Sequence, residues 1–187
     1  MFAVSVLAMQ RFCALLTFLA GGGAIGLMLA RVLPNGARLI DVVRPARLWL
    51  AWLVAAVSMA GSLYFSEIAH FAPCKLCWYQ RIAMYSLALL LLIAAIRRDS
   101  GIRRYAVPLA AIGALLSAYH YLIEWNPSLE GATGSCDISV PCTSPWFREF
   151  GFMSLSFMAL CGFAAIIVLL CIGEGASEPS ERSNEDS

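Results

Sequence analysis

Residues 73–97 read PCKLCWYQRIAMYSLALLLLIAAIR, a Cys-x-x-Cys pair that runs directly into aromatic residues, an arginine and a long apolar segment. Two intervening residues in a helical turn bring the sulfurs of Cys74 and Cys77 within bonding range. A helix N-terminus also favours a thiolate, through its unpaired N–H groups and its macrodipole. The stretch therefore predicts a membrane helix that begins with a redox-active cysteine pair.

Arg81 follows Cys77 by four residues, so it is expected one turn deeper on the same helix face. A cation at this depth would stabilise a thiolate or a reduced, anionic electron acceptor, and an intramembrane arginine is a functional candidate by default. The alternative is an arginine that only extends its side chain to the membrane interface. The neighbouring cysteine pair favours the functional interpretation.

The composition indicates a multi-pass membrane protein. Of 187 residues, 60% are apolar and 13% are charged, whereas soluble proteins average about 45–50% apolar residues. The charges are confined to short stretches between long apolar runs, which leaves no room for a separate soluble domain. No basic run with interleaved aromatic residues is present, so a nucleic-acid partner is not expected.

Four apolar runs predict the spans of an all-α, four-helix transmembrane bundle that occupies residues 46–172. The predicted spans are residues 48–70, a helix from Cys74–Cys77 to Ile96, residues 105–125 and residues 150–172. The acidic, serine-rich tail, residues 173–187, has no apolar face and is expected to be disordered.

Residues 1–45 form an N-terminal apolar segment and a basic connector. Residues 12–30 are apolar and just long enough to span, and they could form an extra transmembrane helix, an interfacial helix or a signal peptide. Cleavage would leave residues 31–47 outside, yet that segment holds four arginines and basic segments prefer the cytoplasm. A retained extra N-terminal transmembrane helix is therefore favoured.

The arginines also predict the orientation. Residues 31–47 and 97–104 together carry eight arginines on one side of the predicted bundle. By the positive-inside rule, the loops that carry the paired cysteines face the other, extracytoplasmic side. That compartment is oxidising in bacteria, so the predicted location is the bacterial cytoplasmic (inner) membrane.

Seven cysteines divide by depth. Cys13, Cys161 and Cys171 lie inside apolar runs, where a small, inert thiol is the expected interpretation. Cys136 and Cys142 lie in a polar loop, and a five-residue gap closes easily into a disulfide. This pair is either a permanent loop staple or, because it would face the other pair, a labile redox disulfide, which is the favoured interpretation.

Polar residues gather at the outer ends of the predicted spans. They are Glu67 and His70 on one span, and Ser117, His120, Tyr121 and Glu124 on a single stripe of another. An interhelical hydrogen-bond network is the plain interpretation. A proton relay or a lining of the acceptor site is the functional alternative. A haem is disfavoured because both histidines lie near helix ends.

Three motifs together resemble the DsbB/BdbC disulfide-bond formation proteins, with a spacing closer to the BdbC-like branch. They are Pro73-Cys-Lys-Leu-Cys-Trp-Tyr-Gln-Arg81, Ser117-Ala-Tyr-His-Tyr-Leu-Ile-Glu124, and Cys136…Pro141-Cys142…Phe150-Gly-Phe152. The resemblance covers residues from about 46 to 172. It implies a thiol:quinone oxidoreductase that reoxidises a thioredoxin-like dithiol oxidase (DsbA/BdbD-like) and passes electrons to membrane quinone, either ubiquinone or menaquinone.

The resemblance also implies a role for each cysteine. Cys136 corresponds to the loop cysteine that the partner attacks, and Cys142 is its mate. Cys74 would exchange with the loop pair, Cys77 would face the quinone, and Arg81 matches the arginine beside the quinone ring. Exchange through mixed disulfides requires only mobile loops and a poised thiolate.

The expected quinone-site residues are therefore Cys77, Arg81, His120 and Glu124. The chain departs from the resemblance in its last span, where family members often carry a proline. Here Ser156 stands at about that place.

Two other functions compete with this interpretation. Four external cysteines could hold zinc in a structural membrane protein, although a spacing of five is loose for a zinc half-site. A quinone reductase of the vitamin-K-epoxide-reductase type uses similar thiol chemistry on a four-helix bundle. In those enzymes the loop pair precedes the Cys-x-x-Cys, whereas here it follows.

Overall fold

Six α-helices make up most of the part of the chain that the structure describes. A computed structural model describes residues 2–34, 36–129 and 141–172. The helices are α1 Phe2–Val32, α2 Ala37–Val43, α3 Arg47–Leu63, α4 Lys75–Arg97, α5 Arg103–Trp125 and α6 Leu155–Cys171. The described ranges contain no strand, so the predicted all-α class is confirmed. Cys136 and the predicted tail, residues 173–187, lie outside the described residues.

Four helical stretches are long and apolar enough to cross a membrane. They are Ser5–Val32, Ala37–Ile68, Lys75–Arg97 and Ser100–Trp125. The apolar helix α6 has 17 residues, which is at the lower limit for crossing the hydrocarbon core. These elements confirm the predicted multi-pass membrane protein.

The four helices α3, α4, α5 and α6 form the bundle, each packed against the next and α6 against α3. Fully buried side chains from α4 and α6 fill its centre, among them Leu87, Leu91, Phe163 and Ile166. By contrast, Leu115 is 71% exposed, as a side chain that faces lipid would be. Such exposure carries no penalty in a bilayer, because lipid tails are as apolar as leucine.

One glycine explains the close contact of α5 with α6. A Cβ atom at Gly113 would lie 2.4 Å from the ring of Phe163, so any larger residue would force the ring to move. Small residues commonly allow this close approach between membrane helices. Gly113 thus allows the close approach of the two helices that carry the buried polar residues described below.

The segment between α3 and α4 leads into the cysteine pair at the start of α4. The helix continues beyond α3 as a π-helical turn, Tyr64–Ile68, and the backbone then leaves the helix, with His70 at a φ of 56°. The predicted span of residues 48–70 therefore begins and ends within two residues of the observed helix. π-helical turns often occur at functional sites.

The last helix begins later than the predicted residue 150. Phe150 and Gly151 have φ angles of 54° and 82°, so they form a turn and not a helix. Ser154 caps α6, and its Oγ accepts a hydrogen bond from the N–H of Phe157. The apolar pattern concealed this boundary, because Phe150 and Phe152 are as apolar as a membrane helix requires.

The extra N-terminal helix α1 packs lengthwise on the bundle, mainly along α6. Phe18 contacts Phe150 just before α6 begins, with ring centroids 5.8 Å apart. Arg31 donates a hydrogen bond to the carbonyl of Cys171 at the opposite end. The apolar segment predicted at residues 12–30 is thus part of a longer helix that runs beside the bundle.

Candidate functional site

Cys74 and Cys77 lie at the first turn of α4. Cys74 is the N-cap residue, with an extended backbone, and its Sγ accepts a hydrogen bond from the N–H of Cys77 at 3.3 Å. The two sulfurs lie 3.1 Å apart, and neither is in a disulfide. This geometry agrees with the predicted proximity of the pair. It also satisfies one of the unpaired N–H groups of the helix terminus.

Cys74 is a poised thiolate. Its hydrogen bond with the Cys77 thiol is the largest cause that lowers the pKa of Cys74 from 9.0 to about 4. His120 lowers this pKa further through a second hydrogen bond and its charge, whereas burial opposes both. A cysteine with such a low pKa is a thiolate at neutral pH and a good leaving group in thiol–disulfide exchange.

The second cysteine pair reaches the same place through Cys142. Cys142 is disulfide-bonded and only 2% exposed. It belongs to one buried cluster with Cys74, Leu76 and Ile123. The disulfide-bonded Cys142 is therefore packed beside Cys74, whereas Cys136, its predicted mate, lies outside the described residues.

A chain of buried polar groups leads away from Cys74, and we call it the polar network. Cys74 Sγ lies 3.7 Å from His120 Nε2, which lies 3.9 Å from Glu124 Oε1. Ser156 Oγ donates to the same Glu124 oxygen at 2.6 Å, and Ser154 lies 2.8 Å from Ser156. Glu124 Oε2 is buried and has no hydrogen-bond partner among the described residues. The network joins α4, α5 and α6 at the end of the bundle that carries the cysteine pair.

On the other side of the pair lies an apolar cavity of about 670 Å³. Residues of α1, α3, α4 and α6 line it, together with the segment between α3 and α4. Cys77 and Arg81 are on its wall, as their four-residue spacing predicted. The volume is within the range of about 300–1,000 Å³ that is typical of small-molecule sites.

Arg81 is held at the cavity wall by two contacts. Its Nη2 donates to the carbonyl of Ser62 at 3.1 Å, and its guanidinium lies 5.4 Å from the ring centroid of Trp78. Three stacked aromatic side chains of the same cavity, Phe65, Phe71 and Trp146, complete this end. The arrangement places one cation and flat apolar rings beside the Cys77 thiol.

Gln80 contacts both the polar network and the apolar cavity. It lines the apolar cavity, and its Nε2 lies 3.0 Å from His120 Nδ1. When His120 is neutral with its proton on Nε2, Nδ1 can accept this hydrogen bond from the amide N–H of Gln80. Sequence reasoning did not select Gln80, although it lies within the quoted motif, because a glutamine beside an interfacial arginine gives no distinct signal.

The predicted site residues separate into two groups. Cys77 and Arg81 line the cavity, whereas His120 and Glu124, predicted beside the quinone, contact Cys74 and Ser156 and are absent from the cavity lining. The exposed Glu67 and His70 do not join the polar network. Ser156, noted only as a departure from the resemblance, proves to be the hydrogen-bond donor to Glu124.

The described residues fit the alternative of a four-cysteine zinc site poorly. Cys74, Cys77 and His120 have ligand atoms within 4.8 Å of one another, which is a metal-like grouping. A four-cysteine site also needs the loop cysteines as thiolates, and Cys142 is disulfide-bonded.

Comparisons with known proteins agree with the geometry. Residues 44–173 match the family model described as "Disulfide bond formation protein DsbB". The chain is 45% identical over 128 residues to "Disulfide bond formation protein C" of Bacillus subtilis (strain 168), covering 68% of this chain and 92% of the relative. A second relative, "Probable disulfide formation protein C 1" of Bacillus anthracis, is 46% identical over 121 residues, covering 65% and 86%. No solved structure gives a significant match.

Proposed function

Because the chain belongs to the DsbB family of disulfide bond formation proteins and is a disulfide-forming oxidoreductase of the membrane, we propose that it transfers electrons from a thioredoxin-like dithiol oxidase to membrane quinone. One observation carries this proposal. The Cys74–Cys77 pair lies between the buried, disulfide-bonded Cys142 and an apolar cavity whose wall carries the guanidinium of Arg81. Such a pair can exchange with the loop at one sulfur and deliver electrons at the other.

The loop side accepts electrons from the partner. In the proposed first step, a dithiol of the partner reduces the Cys136–Cys142 disulfide, so the partner gains a disulfide and the two loop cysteines become thiols. These thiols then reduce a Cys74–Cys77 disulfide, and the loop disulfide forms again. Two electrons and two protons move in each exchange. The burial of Cys142 against Cys74 supports a direct transfer between the pairs.

His120 is proposed to govern the second exchange. A loop thiol attacks Cys74, so Cys77 departs and a mixed disulfide joins Cys74 to the loop. The second loop thiol then attacks this mixed disulfide and Cys74 departs, and this bond breaks faster if the departing sulfur has a low pKa. His120 lies 3.7 Å from Cys74 Sγ and helps to lower the pKa of this thiol. Glu124, hydrogen-bonded to Ser156, would orient the imidazole and exchange protons with it.

The apolar cavity fits a quinone. Three of its polar groups, Cys77, Gln80 and Arg81, meet at one end, and most of the other lining residues are apolar. Arg81 and Gln80 can donate hydrogen bonds to carbonyl oxygens, and the neighbouring aromatic rings suit a planar ligand. A bound quinone supplies a two-electron, two-proton acceptor. As their disulfide forms again, Cys74 and Cys77 release two electrons; the Cys77 thiol releases one proton, and protonated His120, beside the Cys74 thiolate, releases the other.

The proposed location is the bacterial cytoplasmic (inner) membrane, with the cysteine pairs on the extracytoplasmic side. The arginines of residues 31–47 and 97–104 support this orientation, because both segments connect helices at the end of the bundle away from Cys74. The proposed redox core is residues 46–172, with residues 1–45 and 173–187 as additions to it.

Thiol trapping in native membranes tests the function. Reduced thioredoxin-like partner is added with and without quinone, and the outer cysteines are then labelled with a mass-tagged maleimide. We expect the partner to reduce the cysteines, and disulfides to return only when quinone is present. Cysteines that become reactive only after chelation would indicate a zinc site and contradict the proposal. Reoxidation without quinone would contradict the proposed acceptor.

A further inference from the structure

The helix α1 lies outside residues 44–173, which match the family model, yet it forms one wall of the apolar cavity. Side chains from Cys13 to Leu27 line this wall. The other walls come from the family core, including Cys77 and Arg81. The helix α1, which the family match does not cover, thus lines the same cavity as Cys77.

The cavity is elongated along the bundle. Both Leu50 and Ser62 of α3 line it, and these residues are about 18 Å apart along a helix axis at the usual rise per residue. Ser62 contacts Arg81 at the cysteine end. Toward the other end, the lining includes Leu27, Leu39 and Val43. The cavity is therefore much longer than a single quinone ring, and the charged residue of its lining, Arg81, lies at one end.

Small residues of α1 keep the elongated part open. Gly23 and Gly26 line the cavity, and a Cβ atom added at either would meet no atom within 4 Å. The one hydroxyl that α1 contributes, on Thr17, donates to the carbonyl of Cys13 in its own helix. The α1 wall therefore presents space and apolar surface, without a free polar group that would orient a charged ligand.

We propose that α1 and the bundle together enclose the isoprenoid tail of the quinone, with the ring at Cys77 and Arg81. This inference rests on the proposed function, since it takes quinone as the occupant of the polar end. A linear hydrocarbon matches both the length and the apolar lining of the cavity. Consequently, α1 adds affinity for long-tailed quinones that the family core alone would lack.

Leucine substitutions on α1 test the proposal in the full-length protein. Gly23→Leu and Gly26→Leu place a side chain in the cavity, whereas Gly22→Leu is the matched control, because Gly22 also has open space but does not line the cavity. Binding is measured as quenching of tryptophan fluorescence by a long-tailed quinone and by a tail-less quinone. Trp146, which lines the cavity, makes this readout sensitive to binding.

We expect Gly23→Leu and Gly26→Leu to raise the Kd for the long-tailed quinone about tenfold, since about two buried methylene contacts would be lost. The Kd for the tail-less quinone and both Kd values of Gly22→Leu should stay unchanged. The amount of quinone that co-purifies with Gly23→Leu and with Gly26→Leu should also fall, whereas that of Gly22→Leu should not.

Three results would overturn the inference. Equal loss of both quinones would show that α1 acts on the ring site or on the fold. Unchanged binding in both cavity variants would show that the tail lies elsewhere. Loss of a bound phospholipid in native mass spectra, with unchanged quinone binding, would identify a lipid chain as the occupant. In these last two cases the proposed function survives, whereas a wild-type protein that binds neither quinone would contradict both proposals.

Discussion

The two cysteines of the Cys-x-x-Cys pair are only 3.1 Å apart at their sulfurs, yet they have opposite surroundings. Cys74 contacts His120 and belongs to a buried polar network. Cys77 lines an apolar cavity in which Arg81 is the only charged side chain of the lining. One helical turn therefore separates a buried polar network from an apolar cavity.

This separation has a physical advantage within a membrane. Buried polar groups are costly unless they are hydrogen-bonded, so it is economical to gather them in one network. The cavity can then remain apolar and bind a lipid-soluble ligand. Gln80 touches both regions and gives them a direct connection.

The largest expected effect comes from removing the cysteine on the cavity side. Cys77→Ser should reduce quinone reduction below detection, because the Cys74–Cys77 disulfide, whose formation releases the electrons, can no longer form. Quinone reduction is measured with reduced partner as the electron donor. Cys171→Ser, which changes a free cysteine at the far end of α6, should retain full activity. Normal turnover by Cys77→Ser would show that electrons leave the protein at another place.

Breaking the polar network should have the next largest effect. His120→Asn removes a contact that lowers the pKa of Cys74, so exchange between the cysteine pairs should slow on the order of 10²-fold. The exposed His70 offers a matched control, His70→Asn. Stopped-flow mixing with reduced partner measures the rate. An unchanged exchange rate would limit His120 to a structural role.

The same variant should change the pH dependence. With a pKa of about 4, Cys74 in the reduced wild-type protein is a thiolate above that pH, and its ultraviolet thiolate absorbance should vanish only on strong acidification. In His120→Asn this pKa rises, so the absorbance should disappear at a higher pH. Identical titrations of the two proteins would contradict the assigned contact.

A smaller effect is expected on the cavity side from Arg81→Gln. Loss of one charge-assisted hydrogen bond should weaken quinone binding about tenfold and leave the exchange between cysteine pairs unchanged. Quenching of tryptophan fluorescence measures the Kd, and Arg97→Gln, at the other end of α4, serves as the control. If Arg81→Gln slows exchange but not binding, the division between the two sides is wrong.

Most of the fold was predictable because the bilayer imposes it. Within a bilayer, the backbone N–H and C=O groups of long apolar runs must be hydrogen-bonded inside the protein, and helices achieve this for each run by itself. The all-α bundle therefore followed from hydropathy and from the arginine clusters between the runs. Helix ends were less predictable. The start of α6 depends on the turn at Phe150 and Gly151 and on the cap at Ser154, and none of these alters the apolar pattern.

The site was predictable where it depends on one helix. The positions of Cys77 and Arg81 on one face follow from their spacing, whatever the rest of the chain does. The neighbours of His120 and Glu124 depend instead on how α5 packs against α4 and α6. The spacing on α5 gave their common stripe, but not that it meets Cys74 and Ser156. The place of α1 was unpredictable for the same reason.

The packing of α1 on α6 has a consequence for biosynthesis. The hydrogen bond from Arg31 to the carbonyl of Cys171 joins residues 140 positions apart, and a chain is made from its N-terminus onward. The helix α1 can therefore form this contact only after α6 has been synthesised and inserted. An incomplete chain cannot enclose the cavity, so a ligand that needs both walls will be retained only by a fully assembled protein.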